Sequence, residues 1–148
     1  MKDRLVAGGL AGMIAGFIQY AYGLITEAIG ITDRAFGQFS EIVLSSRIYT
    51  GVLGFVIGLL AHLAVTIMFG VLFAYLIEKS SSRYYLLKGA GYGLVLWFLL
   101  SGFGTVARLP LFEDIPPLAA LDILIGSLLY GVTLGYVLKI IDKKSNLL

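Results

Sequence analysis

From Ile48 to Ile77 the chain runs for thirty residues without a formal charge. About 20 apolar residues span the hydrocarbon of a bilayer, so this run reads as a transmembrane helix. Thirty residues rise about 45 Å against a core of roughly 30 Å, so the helix must tilt or project beyond the bilayer. Every fourth position along it is small or polar: Gly54, Gly58, His62, Thr66, Gly70, Ala74. On a helix these six form one slowly drifting stripe, with Phe55, Ile57, Leu59 and Leu60 to its flanks or behind it. That stripe is the face expected to meet a neighbouring helix, and His62, the only histidine, lies near its middle.

Composition points the same way. Of 148 residues, 59% are hydrophobic and 14% charged, with a mean hydropathy of +0.94; a soluble domain carries nearer 25% charge. The absence of cysteine excludes disulfides, thiolate metal sites and cysteine nucleophiles. A net charge of +2 describes loops at a membrane surface, not a nucleic-acid footprint. Lys2 and Arg4 precede an uncharged run from Leu5 to Thr26, which is longer than a signal h-region and reads as a retained span.

The expected fold is all-α: an integral membrane four-helix bundle in a single domain over residues 1–148, with spans at about 5–26, 48–77, 84–105 and 117–138. Helix 1 carries Gly8, Gly12 and Gly16 beside Ala7, Ala11 and Ala15, two stripes that let another helix come close. The external segment 28–49 opens with a helix stop at Gly30; Phe36, Phe39, Ile42 and Val43 then recur at helical spacing, the pattern of an interfacial amphipathic helix. Helix 3 carries Gly89, Gly93 and Ser101 on one face and ends at Leu109-Pro110, because proline cannot continue a helix. Helix 4 starts at Pro116-Pro117, where proline fits a first turn, and carries Ser127, Gly131 and Gly135.

One side of the membrane receives Lys2, Arg4, Lys79, Arg83, Lys88, Lys139, Lys143 and Lys144 against three acids. The other receives Arg34, Arg47 and Arg108 against Glu27, Asp33, Glu41, Glu113, Asp114 and Asp122. The positive-inside rule then places both termini in the cytoplasm.

The stretch from Gly91 to Tyr136 resembles the YqhR family of small bacterial membrane proteins, found mainly among Gram-positive spore-formers. The resemblance is carried by GYGLVLW (Gly91 to Trp97), Leu109-Pro110-Leu111-Phe112, Ile115-Pro116, Leu121-Asp122 and LLYGVTLGY (Leu128 to Tyr136). It implies a four-span bacterial plasma-membrane protein of uncharacterised function, and it brings no catalytic or binding residues.

Three sets of residues are candidates for function. His62, with Gln19 and Thr66, makes a candidate intramembrane polar site, since a mid-membrane histidine faces a bundle interior or a wet cavity. It serves either as an interhelical hydrogen bond, to Gln19, Thr66, Ser101 or Ser127, or as part of a proton or solute path. Arg108 and Asp122, joined by a proline-bounded loop, are expected to form a salt bridge closing helices 3 and 4; the alternative is an external solute-binding vestibule lined also by Glu27 and Gln19. The small residues Gly8, Gly12, Gly16, Gly54, Gly58, Gly70, Gly89, Gly93, Ser127, Gly131 and Gly135 are expected to pack helices together.

No nucleophile–base pair and no phosphate-cradling glycine motif occurs, so no enzymatic activity, cofactor or metal is expected. The expected partners are the lipid bilayer and either further copies of the chain or other membrane proteins, with no nucleic acid. The function expected from these residues is a non-enzymatic scaffold or partner-binding module packed through its glycine stripes. The alternative is an oligomeric channel or transporter for a small solute, ion or proton, using His62.

Overall fold

The computed structural model describes residues 3–34, 51–80, 83–109, 112 and 114–145. Four helices follow in order: α1 (Arg4–Ala28), α2 (Val52–Lys79), α3 (Tyr85–Val106) and α4 (Pro117–Ser145). No strand occurs among the described residues. The expected interfacial helix around Phe36 to Val43 lies outside them.

Each boundary has a local cause. Asp3 caps α1, accepting from the Val6 N–H at 3.0 Å. At the far end Gly30 takes φ +75°, its N–H bonded to the Glu27 carbonyl and that of Ile31 to the Thr26 carbonyl. This is the glycine-closed C-terminal turn that satisfies otherwise orphaned carbonyls. The end of α3 has the same bonding, Arg108 N–H to Thr105 and Leu109 N–H to Gly104, but with arginine at φ +51° in the glycine position. Pro117 occupies the first position of α4. That helix continues past the expected end at 138 to Ser145, since nothing between Leu138 and Ser145 breaks a helix. At about 43 Å it outruns the hydrocarbon. Its projecting turns are tied back by the Tyr85 hydroxyl, which donates to Asp142 at 3.1 Å.

The helices pack as two antiparallel hairpins, α1 with α2 and α3 with α4, joined along α1 and α4; the successive helices α2 and α3 barely touch. Small residues set both hairpins. A Cβ on Gly8 would meet the backbone of Gly70 and Val71, one on Gly12 the Thr66 carbonyl, and one on Gly16 the Thr66 side chain. In the second hairpin Gly89 lies against the Gly131 carbonyl, Gly93 against that of Ser127, and Gly135 against that of Tyr85. Gly54 and Gly58 are buried on α2. There the Tyr20 ring lies 5.6 Å from Phe55 and 5.5 Å from His62. The second stripe of α1, Ala7, Ala11 and Ala15, is fully buried and continues into Gln19, Tyr22 and Thr26, the face that meets α4.

The outer surface is apolar: Val106 is 85% exposed, Leu87 72% and Phe98 69%. A soluble protein does not leave so much contiguous apolar surface in water.

A side chain at a seam must push two backbones apart. Gly131→Ala, whose new Cβ meets the Gly89 carbonyl, is expected to cost about 1–3 kcal/mol. Gly91→Ala, with nothing within 4 Å of its Cβ, should be neutral or stabilising by up to about 1 kcal/mol. Reversible unfolding in mixed detergent–SDS micelles measures both.

Candidate functional site

Where α1 crosses α2, Gly16 exposes its carbonyl because it has no side chain. His62, 2% exposed, donates from Nε2 to that oxygen at 3.1 Å. A carbonyl only accepts, so the bond assigns a proton to Nε2; the oxygen has a second lone pair for its own helix. One turn on, the Thr66 hydroxyl donates to its own helix at the Leu63 carbonyl, 3.1 Å away. The Thr66 carbonyl receives the Tyr130 hydroxyl of α4 at 2.7 Å. Tyr92 of α3 bonds the Phe69 carbonyl of α2 at 2.9 Å, and Trp97 Nε1 bonds the Ala120 carbonyl of α4 at 3.2 Å.

Between the hairpins these groups border a partly open cavity of about 40 Å³. His62, Gln19 and Thr66 line it, together with Ser101, Ser127, Tyr130 and Trp97. A cavity needs about 10–15 Å³ to hold a water, so there is room for roughly three. Gln19 and Ser127 are each 6% exposed, and among the described residues neither side chain has a hydrogen-bond partner. An amide and a hydroxyl at the wall of such a space are suited to a polar occupant such as water. Phe112, from the connection between α3 and α4, also lines the cavity. Its ring packs on Gly104, where any side chain would displace it, and its N–H bonds the Leu109 carbonyl at 2.8 Å.

A second polar cluster lies nearer the loop end of α4. Asp122 is 4% exposed. Its Oδ1 accepts from the Tyr22 hydroxyl at 2.7 Å and its Oδ2 from Thr26 Oγ1 at 3.1 Å. These bonds join α4 to α1.

The structure thus gathers His62, Gln19 and Thr66 around one cavity, but the partner of the His62 Nε2 is a backbone carbonyl, not Gln19, Thr66, Ser101 or Ser127. It does not gather Arg108, Asp122 and Glu27. Arg108 is exposed at the left-handed cap of α3, and among the described residues no ion pair joins it to Asp122. Glu27 is exposed because it follows Thr26 by about 100° around α1, turning it off the α4-facing stripe. Tyr22 and Thr26, which do engage Asp122, escaped the sequence reading, although they extend the Ala7–Ala11–Ala15 stripe at helical spacing. Tyr130 and Phe112 escaped it as well. Among the described residues no three His, Cys, Asp or Glu side chains converge as a metal site.

Four helices apolar and long enough to cross a bilayer, packed around a buried polar centre, have the composition and shape of a multi-pass membrane protein. A model for a family of unknown function, DUF6789, matches residues 2–148, and the chain belongs to that family. Comparisons with curated proteins and with solved structures give no match.

The Asp122 assignment is testable by double-mutant cycles on unfolding free energy. Tyr22→Phe with Asp122→Ala should show a coupling between about 0.6 kcal/mol, the average for interhelical bonds in a membrane, and about 1.7 kcal/mol, the largest seen. Arg108→Ala with Asp122→Ala should be additive within about 0.5 kcal/mol.

Proposed function

We propose that this is a non-enzymatic bacterial plasma-membrane protein, with both termini cytoplasmic, that passes protons or a water-sized polar solute through a mid-membrane polar centre. The location rests on the resemblance of residues 91–136 to YqhR proteins, and the orientation on the distribution of cations between the two sides. The observation that carries the function is the cavity: His62, Gln19 and Ser127, from three different helices, open on one space with room for water.

Further polar groups lie above and below it. Tyr22, Thr26 and Asp122 stand towards the outer end. Tyr130 and Tyr92 follow, and the Tyr85–Asp142 pair stands at the inner end. The polar groups therefore succeed one another along the bundle. Phe112 narrows the cavity at the end nearest the α3–α4 connection, which fits an intermittently opened route better than a wide pore. The cavity lies within one chain, so this reading requires no second copy.

The scaffold reading drew its support from small-residue stripes on all four helices and from the scarcity of buried charge. Most of those stripes are taken up by contacts within the chain, which is why the polar centre is preferred.

In proteoliposomes, the wild type should raise proton permeability over protein-free vesicles. Gln19→Leu or His62→Leu should cut the added flux roughly tenfold, the effect of about 1.4 kcal/mol on a barrier. Phe112→Ala should increase it. Wild-type vesicles as tight as empty ones, across protons and small ions, would overturn the reading.

A further inference from the structure

The hairpin seams leave α2 and α3 apart, although few residues separate them in sequence. Between them, beside that short connection, runs an open groove of about 460 Å³. Its walls are apolar, with Leu76 and Ile77 on one side and Tyr92 and Val95 on the other. Its depth is closed where the Phe73 and Tyr92 rings meet at 5.0 Å. Gly91 widens it, having no atom within 4 Å of where a side chain would begin.

The end of the groove at the connection is cationic. The Lys88 ammonium donates to Ser80 Oγ at 2.9 Å, which stations it over the mouth. Lys79 and Arg83, both exposed, stand at the same connection. The neighbouring acid, Glu78, is paired with Arg4 at 2.9 Å, and among the described residues no carboxylate lines the groove. An apolar trough on the outside of the bundle, with the Lys88 ammonium at one end and two further cations near it in sequence, matches one kind of molecule in both halves.

We propose that the groove between α2 and α3 binds an anionic phospholipid. One acyl chain lies along the Leu76–Val95 trough and the phosphate sits at Lys88, with Arg83 and Lys79 adding charge. Lysine is a point-charge phosphate donor, so headgroup charge matters here more than headgroup shape. This site is separate from the polar cavity and does not depend on the transport reading. Only its assignment to the cytoplasmic leaflet rests on the proposed orientation.

The test is native mass spectrometry of the full chain released from bilayers containing phosphatidylglycerol and phosphatidylcholine of identical acyl chains. Phosphatidylglycerol should be retained preferentially. Lys88→Ala should reduce that preference about fivefold, the weight of one cation at a membrane surface, and Lys88→Arg should keep it. A photoreactive residue in place of Val95 should yield a lipid adduct on illumination. Equal retention of the two lipids, a preference unchanged in Lys88→Ala, or an adduct at position 95 to a second polypeptide would each overturn the proposal.

Discussion

Everything in this bundle depends on how closely backbones approach at the glycine seams. Within a bilayer, helices gain nothing from leaving lipid for one another by the hydrophobic effect, so association relies on packing and on polar contacts made at short range. At Gly12 against Thr66 and at Gly89 against Gly131 a single added carbon would strike the opposing backbone. That proximity lets His62 reach the Gly16 carbonyl. It also orients each hairpin: with the glycine stripe of α1 committed to α2, the adjoining alanine stripe is left for α4.

A second rule follows from the first. Four side-chain hydrogen bonds between helices end on backbone carbonyls: His62 on Gly16, Tyr130 on Thr66, Tyr92 on Phe69 and Trp97 on Ala120. Each such oxygen already serves its own helix and accepts through its remaining lone pair. These four bonds pin the bundle in register without pairing polar side chains with each other. Carboxylates pair directly instead: Asp122, buried and served by two hydroxyls of α1, Asp142 with Tyr85, and Glu78 with Arg4. Gln19 and Ser127 are not used in this way, and both line the cavity.

The four helices and their chief small-residue faces were legible in the sequence, because apolar length and four-residue spacing are local properties. So was the grouping of His62 with Gln19 and Thr66, which needs only that buried polar groups collect away from lipid. Which group would receive the His62 proton was not legible, since a backbone carbonyl leaves no mark in sequence. Arg108 and Asp122 were misread as a pair because opposite charges near one loop invite it. The left-handed cap at the end of α3 turns Arg108 outward, and that conformation cannot be read from an arginine. Phe112 could be recognised as part of a turn, but its place over the cavity depends on Gly104, another residue whose significance appears only once the chain is folded.

The most direct measurement is water contact at the polar centre, by magic-angle-spinning NMR of the isotope-labelled protein in lipid bilayers. The single histidine gives an unambiguous ring signal, and Leu134 and Leu138, fully buried in the same bundle, serve as dry controls. A hydrated centre predicts magnetisation transfer from water to the Gln19 amide and the His62 ring well ahead of those leucines. Transfer as slow at Gln19 and His62 as at Leu134 and Leu138 would contradict it, and would leave His62 as a packing residue alone.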